Sequence, residues 1–158
     1  MWIELPPEIE KRLRVALQEA GRREIGGMLF AEQLVPGSFR IADFSLDQYS
    51  GTHATFRRDP LSHHRTLDEF FQRTGLDFQH FNYLGEWHSH PSFSVDPSVQ
   101  DICTMTDIVE DQCSSITFAV LLIARLRFRI WSDYSLTIFA RAQLPKQGRI
   151  SRRAVWVT

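Results

Sequence analysis

The 158-residue chain carries 18 Lys and Arg against 19 Asp and Glu, a formal net charge of −1 with histidine neutral. That balance offers no global attraction to nucleic acid or to an anionic membrane. At 43% hydrophobic and 23% charged, the composition is that of an ordinary globular chain with material for one core, so a single domain over residues 1–158 is expected.

Two cysteines make no disulfide framework, and no basic-then-apolar leader opens the sequence. The longest apolar run, Ile116 to Ala124, is too short to span a bilayer and reads as a buried strand. These features predict a cytoplasmic protein.

In chain order, the stretch from Pro6 to Gly21 has apolar residues at Ile9, Leu13, Val15, Ala16 and Leu17, with proline at its start and glycine at its end, the punctuation of a helix. Residues 24–35 and 38–49 read as strands joined by a turn at Pro36-Gly37. A third strand is expected over 51–59, stopped by Pro60, and a second amphipathic helix over 61–75. Residues 81–90 are strand-like and end at Pro91. Asp96 as N-cap with Pro97 at the first helical position predicts a third helix from Pro97 to about Glu110. The remainder, 114–144, reads as two or three strands. One mixed sheet with helices against it follows, an α/β or α+β domain.

The chemistry concentrates in "GEWHSHPSFSVDPSVQD", residues 85–101. Side chains at i and i+2 of a strand share a face, so His88 and His90 point together while Trp87 and Ser89 point away. On the following helix Ser98 and Asp101 stand three apart and share a face. If the intervening loop folds the helix start over the strand end, Asp101 becomes a third ligand. Three protein ligands with one open position mark a catalytic zinc site, whereas structural sites are closed. By composition alone such a five-residue pattern should arise in roughly one chain in 10⁵.

HExxH and P-C-x-x-C zinc signatures are absent, as is a G-x-S-x-G elbow. Cys103 and Cys113 make no thiolate site, and Cys103, about 200° round the helix from Asp101, is assigned to the core. His53, His63, His64 and His80 read as surface or hydrogen-bonded residues. Zinc lowers the pKa of water toward 7, yet a proton must still reach the leaving nitrogen, which calls for an acidic residue that is not a ligand. Glu24 is the candidate: it is expected to begin a strand, and Gly26-Gly27 would let another backbone come close.

Glu24, then His88-Ser89-His90-Pro91, Ser98 and Asp101 at these spacings resemble the JAMM (MPN-type) zinc metalloproteases, whose motif is matched at every position. The resemblance covers the whole order of elements. It implies a cytidine-deaminase-like single domain, a curved mixed sheet flanked by about three helices. It further implies one zinc with its water on His88, His90 and Asp101, Glu24 as general acid/base and Ser98 as hydrogen-bond donor to the oxyanion.

Active members cleave isopeptide or peptide bonds after the C-terminal glycines of ubiquitin-like proteins. The short form with "YLGEWHSHP" is most similar to bacterial members that accompany E1- and E2-like enzymes in anti-phage operons. The expected partner is therefore a ubiquitin-like tail or its conjugate, with E1/E2-like proteins as operon partners and neither nucleic acid nor membrane. Two other readings stay open: a processing peptidase for a sulfur-carrier protein, and a non-catalytic MPN interaction domain. The alternating Arg125, Arg127 and Arg129 read as the solvated face of a strand, with a local basic patch as the alternative. Finally, the strand at 51–59 is the expected edge on which a substrate tail would add, with Arg57 and Arg58 near it.

Overall fold

A computed structural model of the chain describes residues 1–47, 51–52, 55–56, 60–128 and 130–152; for 51–52, 55–56 and 60–64 it describes the backbone alone. The elements run β1 (Trp2–Glu4), α1 (Pro7–Ala20), β2 (Gly26–Val35), β3 (Ser38–Phe44), β4 (Gly51–Thr52), β5 (Thr55–Phe56), α2 (Pro60–Arg73), β6 (Phe81–Ser89), α3 (Val99–Glu110), β7 (Phe118–Arg127), β8 (Trp131–Ala140), β9 (Lys146–Gln147) and β10 (Arg149–Ser151). Eight of these strands form one curved mixed sheet in the order β10-β1-β3-β2-β6-β7-β8-β9. The chain is thus a mixed α/β domain with three helices among the described residues.

Helix α1 buries Ile9, Leu13, Ala16, Leu17 and Ala20, a stripe at helical spacing. Pro7 opens it and Gly21, at φ +63°, closes it by donating its N–H to Leu17 O. The stripe lies on one face of the sheet, against Trp87, Val120, Leu122 and Ala124. On the other face, Met105 and Val109 of α3 meet Ala119, Leu121, Ile123 and Phe139, and Phe70 of α2 stacks on Phe30 at 4.6 Å between ring centroids. The run from Ala119 to Ala124 is buried throughout, as a strand covered on both faces must be.

Several expectations are corrected. Glu24 does not begin a strand: β2 starts at Gly26, two residues on. The third helix begins at Val99 with Ser98 as its N-cap, not at Pro97 with Asp96, because Ser98 and Asp101 satisfy each other's backbone N–H groups in a capping box. Asp96 is engaged instead by the Ser94 hydroxyl.

Among the described residues of the stretch 51–59, β4 and β5 pair with each other, as Gly51↔Phe56 and Thr52↔Thr55, in a sheet separate from the main one. Thr55 is therefore no edge of that sheet, and Arg57 and Arg58 lie outside the described residues, as do His53 and Arg129, while His63 and His64 are described only as backbone within α2. Cys103 is exposed rather than in the core. Asp101, Met105 and Val109 form the inward stripe of α3, so a residue 200° from Asp101 must face out. The short strands β1, β9 and β10 were not anticipated. Among the described residues no helix is long and apolar enough to cross a membrane.

Candidate metal centre

The site forms where β6 ends. In the antiparallel pair β2–β6, Gly26 stands opposite His88 and Gly27 opposite Trp87. A Cβ on Gly26 would lie 2.4 Å from Trp87 O, and one on Gly27 2.3 Å from Ser45 O, so both positions admit only hydrogen. The close approach expected of Gly26-Gly27 is therefore real. On its other side β6 runs parallel to β7, with His88 beside Ile123 and Ser89 beside Ala124. Ile123 belongs to the core under α3, so His88 faces α3. Trp87 faces α1 instead, its indole donating to Ser45 O at 2.9 Å.

After Pro91 the chain loops back to α3 as irregular backbone, and three successive carbonyls of that loop are held by side chains. Arg125 Nη1 donates to Phe93 O at 2.8 Å, His90 Nδ1 to Ser94 O at 2.6 Å, and Ser135 Oγ to Val95 O. Arg125 also pairs with Asp133 at 2.9 Å, so the expected solvated strand arginine is half-buried and holds the loop. The loop delivers the N-terminus of α3 to the strand end. There Ser98 N–H and Ser98 Oγ each donate to Asp101 Oδ2 at 2.7 Å, while Asp101 N–H donates to Ser98 Oγ at 3.2 Å.

His88, His90 and Asp101 converge as the spacing predicted, one ligand atom from each lying within 4.8 Å of the others. His88 Nε2 is 3.0 Å from His90 Nε2 and 3.4 Å from Asp101 Oδ1, and His90 Nε2 is 3.7 Å from Asp101 Oδ2. Atoms about 2.0–2.1 Å from one tetrahedral zinc stand about 3.3 Å apart, so these separations are compatible with a metal site of that kind.

The donor chemistry also fits. The bond to Ser94 O puts the His90 proton on Nδ1 and leaves Nε2 with its lone pair toward the centre. Burial pushes the Asp101 carboxyl up, but the His88 hydrogen bond and charge, with the two Ser98 bonds, hold it down at about 2. It is therefore a carboxylate at neutral pH. The centre is sheltered, with His88 and His90 buried at 8% and 7% exposure.

Glu24 is buried too, and it senses the centre. Burial pushes its carboxyl above the ordinary range; the charges of His90 and His88 pull the other way, and Asp101 adds to the rise. A buried acid of raised pKa near a group of side chains that could hold a metal suits a proton carrier.

Of the other histidines, His80 pairs with Asp77 at 2.8 Å on the surface and is not part of the cluster. Sequence reading missed Ser89, Ser94, Arg125 and Ser135. Two of these bonds run to backbone carbonyls from distant strands, and no spacing rule signals them. It also missed Glu86, buried two residues before His88 and contacted by the Tyr83 hydroxyl at 3.5 Å.

Two imidazoles and a carboxylate thus meet at the end of one strand of a mixed sheet. The sequence matches the family of prokaryotic homologues of the JAB domain over residues 6–138, and the chain belongs to that family. Among curated proteins none matches. Two solution structures are similar in fold. Protein DSY2949 from Desulfitobacterium hafniense has a TM-score of 0.68 at 17% identity, over 96% of this chain and 92% of its own. A protein from Salinibacter ruber has a TM-score of 0.60 at 20% identity, over 97% and 93%.

Proposed function

We propose that the chain is a zinc-dependent isopeptidase or peptidase that cleaves after the C-terminal glycine of a ubiquitin-like protein or of a protein conjugated in the same way. One observation carries this reading: His88, His90 and Asp101 meet at tetrahedral spacing with Glu24 buried beside them. Its proposed setting is a bacterial ubiquitin-like conjugation system of the anti-phage kind, with E1/E2-like partners.

His88 Nε2, His90 Nε2 and an Asp101 carboxylate oxygen would hold the metal. Zinc, when bound, supplies a Lewis acid that acidifies water and polarises the scissile carbonyl. Glu24 accepts the proton of the attacking water as the new C–O bond forms. It then passes that proton to the amide nitrogen as the C–N bond breaks, so the products are a carboxylic acid and an amine. Ser98 donates to the developing oxyanion. Its hydroxyl now points to Asp101 Oδ2, so this role requires a rotation about its side chain when Asp101 engages the metal. The backbone N–H of Ser98 keeps Asp101 oriented meanwhile.

The test is incubation of zinc-loaded protein with fusions of ubiquitin-like proteins ending in Gly-Gly, linked to a peptide or through a lysine side chain, read by intact mass. Cleavage after glycine, abolished by a chelator and by His88→Ala, is expected. Glu24→Gln should keep the zinc and lose roughly 10²–10⁴ in rate. Release of a single C-terminal residue from a sulfur carrier, with conjugates left intact, would favour precursor processing. Absence of cleavage by zinc-loaded protein on every fusion would leave a non-catalytic interaction domain.

A further inference from the structure

The residue between the two histidines points away from the metal centre, yet it is among the most buried polar groups described, at 1% exposure. Continuing the β2–β6 register by one step beyond Gly26↔His88 sets Ile25 opposite Ser89. Ser89 N–H donates to Ile25 O at 2.8 Å, which is half of an ordinary antiparallel rung. The other half is not a backbone bond, for Ile25 N–H donates at 3.0 Å to the Ser89 hydroxyl.

This rung lies just before the start of β2 and so ties down the segment that carries Glu24. Ile25 is fully buried in the core on the α1 side. In extended backbone its neighbour Glu24 then points to the opposite face, where His88, His90 and Asp101 meet. From Gly26 onward β2 is secured independently on its other edge, by Asp47 N–H to Gly26 O at 2.8 Å and Met28 N–H to Ser45 Oγ at 2.7 Å, and the histidine strand is held by β7, with His90 N–H donating to Ala124 O at 2.9 Å. Loss of the Ser89 hydroxyl would therefore loosen residues 24–25 and leave the histidine strand in place.

We propose that Ser89 is a positioning residue that acts through Glu24: its hydroxyl completes the last rung and fixes the Glu24 segment over the metal centre. This rests on the reading of Glu24 as the proton carrier, and the experiment separates the two. Ser89→Ala should retain one zinc per chain, speed hydrogen exchange of the Ile25 amide in both metal-free and zinc-loaded protein, and lower kcat roughly 10- to 100-fold with KM unchanged, as a misplaced catalytic group does.

Ser89→Thr, which keeps the hydroxyl, should restore the rate. Its methyl has room in the adjoining cavity of about 200 Å³ lined in part by Leu17, Gly21, Ser89, Pro91 and Ala124. In a Glu24→Gln background, Ser89→Ala should remove nothing more, because the two act on one step. Were Ser89→Ala too unstable to purify, Ser89→Cys, of similar size and a weak acceptor, must show the same losses. Additive loss in the Glu24→Gln background would overturn the proposal. So would loss of zinc, or a full rate alongside a fast-exchanging Ile25 amide. Wild-type protein without zinc or cleavage would instead defeat the proposed function, and Ile25 exchange would still report on the clamp.

Discussion

Gly26→Ala puts a single methyl group where the strand bearing Glu24's segment crosses the strand bearing the histidines. The added Cβ would lie 2.4 Å from Trp87 O, 2.8 Å from His88 Cβ and 3.0 Å from His88 Cα. Two of these are backbone atoms, which cannot rotate away. Ordinary contacts begin near 3.4 Å, so the strands must part by roughly 1 Å, at a cost of about 1–3 kcal/mol for an overpacked site. For a domain of this size that is a fall in Tm of about 3–10 °C. The shift falls on His88, whose nitrogen tolerates only about 0.2 Å around a metal, so the zinc Kd should rise at least tenfold.

Gly27→Ala is the control. Its Cβ would meet Ser45 O at 2.3 Å and Ser45 Oγ at 2.6 Å, on the side away from the histidines, so it should destabilise similarly and spare zinc. Thermal melts of the metal-free proteins and competition with a chromophoric chelator measure both effects. A wild-type Tm for Gly26→Ala, or equal weakening of zinc by Gly27→Ala, would refute the reasoning.

Two other substitutions follow from the same contacts. Arg125→Ala releases Phe93 O and Asp133, both able to reach water, so stability should fall by only about 1 kcal/mol while the zinc Kd rises about tenfold; an unchanged Kd by chelator competition would show that the loop needs no such tether. For Asp43, burial pushes the carboxyl up, but Arg73, the Phe44 N–H and Arg12 hold it below its ordinary value. That stability is present above the unfolded carboxyl's pKa of about 3.9 and lost as pH falls through the lowered folded value. Asp43→Asn should therefore destabilise by about 1 kcal/mol at pH 7, the exposed guanidiniums being screened, with the gap to wild type closing in urea titrations as the pH falls below the ordinary carboxylate range.

The long elements were legible because each buries one face at a regular period. The Ile9–Leu13–Ala16–Leu17 stripe and the run Ala119–Ala124 announce a helix and a doubly covered strand. Trp2–Glu4 and Arg149–Ser151 were not legible. Each is three residues long, too short for a period, and they pair with one another in parallel across the length of the chain. Such pairing is decided by what the finished sheet leaves open. The strand expected from Gly51 failed for a related reason at its described residues: local β propensity says that a segment is extended but not which sheet takes it.

The site was more legible than the elements around it, and the third helix explains why. Asp96-Pro97 is a sound helix start by residue preference, but Ser98 and Asp101, three apart, can cap one another's backbone, and that reciprocal bonding fixes the first turn. The same spacing prepares a ligand. One carboxylate oxygen of Asp101 is held by Ser98, which leaves the other 3.4 Å from His88 Nε2. The cap that begins α3 thus aims the Asp101 carboxylate at the two histidines, and a motif read for its chemistry also set the geometry. Ser89 is the counterpart on the strand side: spacing says only that it points away from the metal. Its hydroxyl takes on meaning once Ile25, more than sixty residues earlier, lies opposite with an N–H that donates to it.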